Sequence, residues 1–301
     1  MATRRRLAQA MAVAIGVVAV GPALAATPAA NLFYQRAVMT AADGACRLFA
    51  PDIGAALAAS KAQARGAALR SGMDLATVAA FDVQASAAGA AGCRTPEITA
   101  AAQQVRAAFA GYAHLGYMDF PGEFASWVGQ RPTSDAAVSW RASQRARFGW
   151  DLMQFGLAGQ GADRPLTAVA SFADGAQPYG ARLVLRDTET TSQPFLDVRQ
   201  ADIDGHIPID ARLPPRSSTR VFEAGEMTPA DKALLTPDMA GALSFKFPQA
   251  ATDALAGLDP RESVAVEFLF AGDNGGDEVR TAYVEVGDFA SAKAFQAIPL
   301  K

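Results

Sequence analysis

The chain has 301 residues, half of them apolar, with 27 Lys and Arg against 30 Asp and Glu and a formal net charge of −3. That length and apolar content can bury one large core or two medium ones. The acidic balance excludes the clustered basic face on which nucleic-acid affinity depends.

Chain order begins with "MATRRRLAQAMAVAIGVVAVGPALA". Arg4, Arg5 and Arg6 precede an apolar run from Ala10 to Val20, and Ala23-Leu24-Ala25 closes it with small residues. This order predicts a secretory signal peptide over residues 1–25, too short in its apolar part to span a bilayer. The route it implies, general or twin-arginine, stays open. Removing it leaves 24 basic against 30 acidic residues, because it carries three arginines and no acid. The expected location is therefore the periplasm or the exterior, with no membrane span after cleavage.

Residues 26–116 are rich in alanine with helix-period apolar positions, and predict a helical bundle of four helices over roughly 31–43, 52–70, 74–90 and 96–113. Thr95, Pro96 and Glu97 form the best start signal, and Ile98, Ala102, Val105, Phe109 and Tyr112 step by threes and fours behind it. Asp74 is placed to cap the third helix, and Gly72 to end the second. The two cysteines, Cys46 and Cys93, are expected to form one disulfide in an oxidising compartment. An up-down helix order would bring both to one end of the bundle.

Residues 117–147 read as an aromatic junction. "HLGYMDFPGEFASW" holds two Phe, one Tyr and one Trp, and all three tryptophans lie within residues 127–150. Asp119, Pro121 and Glu123 suggest a short helix starting near residue 120, and Arg131, Arg141, Arg145 and Arg147 add positive charge beside the rings. Two readings follow. Burial of aromatic rings between two halves is favoured; a ligand cleft is the alternative, and Phe124, Trp127, Trp140 and Arg141 are its expected binding residues.

Residues 148–301 alternate with period two at 182–186, 243–247 and 264–270, with further strands expected at 152–157, 166–172, 195–199 and 220–224. "GLAGQGADRP" and "AGDNGGDE" are hairpin turns, short helices are expected to open at Thr228-Pro229-Ala230-Asp231 and after Asp288, and the pattern predicts an antiparallel, sandwich-like part. The fold class is accordingly α+β.

Catalytic signals are sparse. The chain has two histidines, His114 at a helix end and His206 in a turn, and no G-x-S-x-G, H-E-x-x-H or C-x-x-C stretch. Asp202-Ile203-Asp204-Gly205 lacks the later ligands of a calcium loop, and Asp273, Asp277 and Glu278 read as a solvated hairpin tip, so no metal and no cofactor is expected. The leading functional expectation is a non-catalytic exported protein that binds a protein partner or a small ligand. The alternative is a cell-envelope hydrolase working through paired carboxylates such as Asp119 and Glu123.

Overall fold

The computed structural model describes residues 27–134, 136–272 and 275–300. The expected signal peptide, residues 1–25, lies outside them. The described chain is mixed α+β and divides into two units at Leu115 and Gly116. No helix among the described residues is long and apolar enough to cross a membrane.

The first unit holds four helices: α1 (Pro28–Cys46), α2 (Pro51–Arg70), α3 (Leu75–Ala91) and α4 (Pro96–Ala113). Their starts follow the capping chemistry of the sequence. Thr27, Asp74 and Thr95 accept from the backbone amides of Ala30, Thr77 and Ile98, and Pro occupies the first turn of α1, α2 and α4. Gly72 follows α2 with φ +93°, and the Met73 amide reaches back to the Ala68 carbonyl. Alanine explains the packing. Phe33, Ala37, Ala64, Ala68, Leu69, Val78 and Ala85 form one buried cluster, and Met39, Ala42, Leu57, Ile98, Ala101 and Ala102 another. A β-carbon on Gly89 would stand 2.6 Å from the Val38 carbonyl and 2.7 Å from the Ala42 amide, so α3 meets α1 backbone to backbone there. Cys46 ends α1 and bonds Cys93, just beyond α3, with the Cα atoms 5.6 Å apart across 47 positions.

The second unit contains two antiparallel sheets. One has seven strands in the order β1-β2-β3-β4-β5-β9-β8: β1 (Tyr117–Phe120), β2 (Trp127–Gln130), β3 (Ser139–Phe148), β4 (Asp151–Gly159), β5 (Leu166–Ser171), β9 (Leu243–Lys246) and β8 (Glu226–Pro229). The other runs β11-β10-β6-β7: β11 (Asp277–Glu285), β10 (Ser263–Ala271), β6 (Gly180–Arg186) and β7 (Thr219–Glu223). Two helices, α5 (Gln249–Ala256) and α6 (Phe289–Ala297), complete it. Phenylalanines join the sheets: Phe148 stacks on Phe268 at 5.5 Å, and Phe172 meets Phe268 and Phe270 at 5.2 and 5.1 Å.

Several sequence expectations need correction here. Residues 117–147 are not a connecting segment: they supply β1, β2 and most of β3. No helix starts near residue 120. The chain leaves β1 at Phe120 and crosses to β2 as a loop, whose amides are taken by a side chain far along the sequence. The strand expected over 195–199 is instead a 3-10 turn at Val198–Gln200, favoured because Asp197 accepts from the Arg199 amide and from its Nε and Nη2. Thr228 and Pro229 finish strand β8, and the short helix expected at 228–231 is a 3-10 turn at Lys232–Leu234 that Asp231 caps; the Asp288 side chain makes no capping bond to α6. Strand β10, expected to be half-buried, is buried from Ser263 to Phe270. Its outer face is covered by residues 187–218: Ser263 donates to the Ile209 carbonyl, and Arg216 pairs with Glu267.

Candidate functional site

The four residues expected to line a cleft go to different places. Trp127 is fully buried, and its indole N–H donates to the carbonyls of Glu285 and Val286 at 3.1 and 2.9 Å. Trp140 is buried too, bonded to the Leu234 carbonyl at 3.1 Å. Arg141 is buried within β3. These three are buried within the second unit, whereas the sequence reading expected its aromatic segment to be buried between two halves of the chain. Phe124 alone is half exposed, at 48 %, and it lines a groove.

That groove, about 910 Å³, lies within the second unit. One wall is the end of β3 from Gln144 to Phe148 with the two-residue turn Gly149-Trp150, and the other is Arg280, Thr281 and Tyr283 of β11. Asp151, Asp174, Phe124 and Ile209 close its ends. Trp150 is 86 % exposed at the tip of the β3–β4 hairpin, where no packing requires an indole. Of the three tryptophans, it is the one whose ring is free to meet a ligand.

The shape of the groove comes from polar anchors. The Glu285 carboxylate, fully buried, accepts from the consecutive amides of Glu123, Phe124 and Ala125 at 2.6, 2.8 and 3.1 Å. A β-carbon on Gly122 would overlap that carboxylate and the Ala125 carbonyl, so glycine is required where the loop closes over it. Gln144 holds β3 beside β11: its amide nitrogen donates to the Glu285 carbonyl at 3.3 Å, and its oxygen accepts from the Glu285 amide at 2.9 Å. The guanidinium of Arg212 then stacks over the Phe124 ring at 4.6 Å and forks onto the Glu123 carboxylate at 2.7 and 2.8 Å, with His206 3.3 Å from the same group. Arg212 thereby holds Glu123 below the ordinary carboxylate range, an effect larger than the opposing cost of partial burial.

Arg280 crosses the floor. It reaches Asp174 at 2.7 and 3.1 Å, Asp151 at 3.3 Å and Glu278 at 3.2 Å, and its contact with Asp174 pulls that carboxyl down to about 2. Asp174 is thus ionised at every physiological pH. A carboxylate pair for hydrolysis needs one member that keeps its proton near neutrality. Asp119 bonds to the Tyr117 hydroxyl while Glu123 is committed to Arg212 and His206, so each of these carboxylates serves a different partner. Arg145 pairs with Asp238, whereas Arg147 lines the groove, is exposed and makes no ion pair among the described residues.

His114 is the C-cap of α4, and Asp202 accepts from the amides of Asp204 and His206 as a turn. Among the described residues no group of three or more His, Cys, Asp or Glu is gathered as for a metal ion. The sequence reading missed Trp150, Tyr283, Arg280 and Glu285. Gly149-Trp150 between two alternating strands was a usable signal for an aromatic at a hairpin tip. No protein-family model, curated protein or solved structure matches this chain.

Proposed function

We propose that this is an exported, non-catalytic binding protein of the periplasm whose sandwich-like second unit holds its partner in the groove, the N-terminal helices acting as a disulfide-tied bundle. The single observation that carries the reading is Trp150, 86 % exposed on the rim of a groove also lined by Phe124 and Tyr283. An indole left in water at that place forfeits on the order of 2 kcal/mol of burial, which a bound surface would restore. The disulfide supports export, since such bonds persist in oxidising compartments. The commitment of Arg280 and Arg212 to groove carboxylates favours binding over the carboxylate-hydrolase alternative.

The test is native mass spectrometry of the protein released gently from its own cell envelope, beside the Trp150→Ala variant. Added mass retained on the wild type and lost from the variant is expected, with thermal stability within about 0.5 kcal/mol because the side chain is exposed. Equal retention by both proteins would remove the groove from the function.

A further inference from the structure

The groove also exposes an unused row of backbone groups. Strand β11 pairs with β10 alone, along nine residues, and its other side is the open edge of the second sheet. Alternation fixes which groups face outward. The Val286 amide donates to the Glu262 carbonyl on the β10 side, while the Glu285 amide donates away from β10, to Gln144. In an antiparallel ladder the amide and carbonyl of one residue share a side, and the side switches with each residue. The amides and carbonyls of Val279, Thr281 and Tyr283 therefore point outward with those of Glu285. Thr281 and Tyr283 line the groove.

Gln144 shows what such an edge accepts. Its side-chain amide both donates to and accepts from the Glu285 backbone, as a peptide group of a neighbouring strand would. The pairing ends there. Native sheets shield open edges with charges, bulges or proline, but β11 keeps its charged residues at Asp277, Glu278, Arg280 and Glu285, and Thr281 to Val284 has none. Across the groove stand Phe148 and Trp150.

We propose that the groove takes an extended peptide segment of a partner protein, added as a further strand along β11 from Val279 to Tyr283, with apolar side chains of that segment set against Phe124 and Trp150. Main-chain bonds to the edge supply affinity, and the aromatic rim selects the side chains. This rests on the reading of the groove as the binding site, and names the class of its occupant.

The experiment pans a phage-displayed random heptapeptide library on the full chain, with elution of peptides lost on Trp150→Ala. The expected winners carry a β-branched or aromatic run. A synthetic winner slows hydrogen exchange at the Thr281 and Tyr283 amides at least tenfold, and N-methylation of alternate peptide nitrogens abolishes binding in one phase only. Panning that yields no groove-dependent peptide, or winners that leave those two amides exchanging as before, overturns the strand proposal. If native mass spectrometry still finds a Trp150-dependent small molecule, the groove remains the binding site and the peptide class alone is wrong; if that retention is absent too, both fall.

Discussion

The two units bury apolar surface in opposite ways. The helices of residues 27–115 pack through small side chains, with Ala42, Ala85 and Gly89 at the meeting of α1 and α3, so their backbones approach closely and little relief is left between them. The unit formed by residues 116–300 packs through Phe148, Phe172, Phe245 and Phe268, large rings that hold its sheets apart and leave room at an edge. Small residues seal a surface; large ones, pinned by polar anchors, can keep a groove open. On the proposed function, recognition falls to the second unit, where the groove lies.

Breaking the first half of that contrast should give the largest effect. Replacing Cys46 and Cys93 by Ser frees a 47-position loop and should cost about 4 kcal/mol of helical-unit stability by the chain-entropy argument. Chemical denaturation followed by helix circular dichroism reads it, and groove binding at low denaturant should be unchanged; a matching loss of affinity would mean the two units do not divide the work.

Next comes the buried anchor of the second unit. Glu285→Ala leaves the amides of Glu123, Phe124 and Ala125 without their acceptor, a loss of about 3 kcal/mol. The same change releases Phe124, so exchange of the 122–126 amides should rise together with a weaker groove. Unaltered exchange there would show that the carboxylate is not what shapes the rim.

The smallest effect concerns pH. Glu123 is depressed below its ordinary value of about 4.3 by Arg212, so its stabilising contribution is fully present above that value and disappears as the pH falls through the lower folded value. Binding should stay level from about pH 7 to 5 and decline below about pH 4, a decline that Glu123→Gln removes. A midpoint above the ordinary carboxylate value of about 4.3 would show that Glu123 does not control binding.

Much of the architecture was legible because it rests on local signals. Thr95-Pro96-Glu97 starts α4 where the capping rule places it, and period-two alternation marks β6, β9 and β10. The disulfide was expected from two cysteines together with an expected export signal. What failed was non-local. Nothing within residues 119–126 reveals that Glu285, some 160 positions later, collects their amides and prevents a helix. The site was half legible for the same reason: Phe124 was singled out, but Trp127 and Trp140 share its composition while Glu285, Val286 and Leu234 carbonyls draw their indoles inward. Sequence shows that a tryptophan is present; only the fold shows which of three stays in water.

That distinction permits the most direct test of the account, acrylamide quenching of tryptophan fluorescence in the protein purified gently from its own cells, before and after any bound material is stripped. The account predicts that one of the three indoles, Trp150, becomes newly quenchable on stripping and is shielded again when the material is returned, while Trp127 and Trp140 stay protected throughout. A quenching curve identical in both states, with Trp150 open all along, would contradict the assignment of the groove as the binding site.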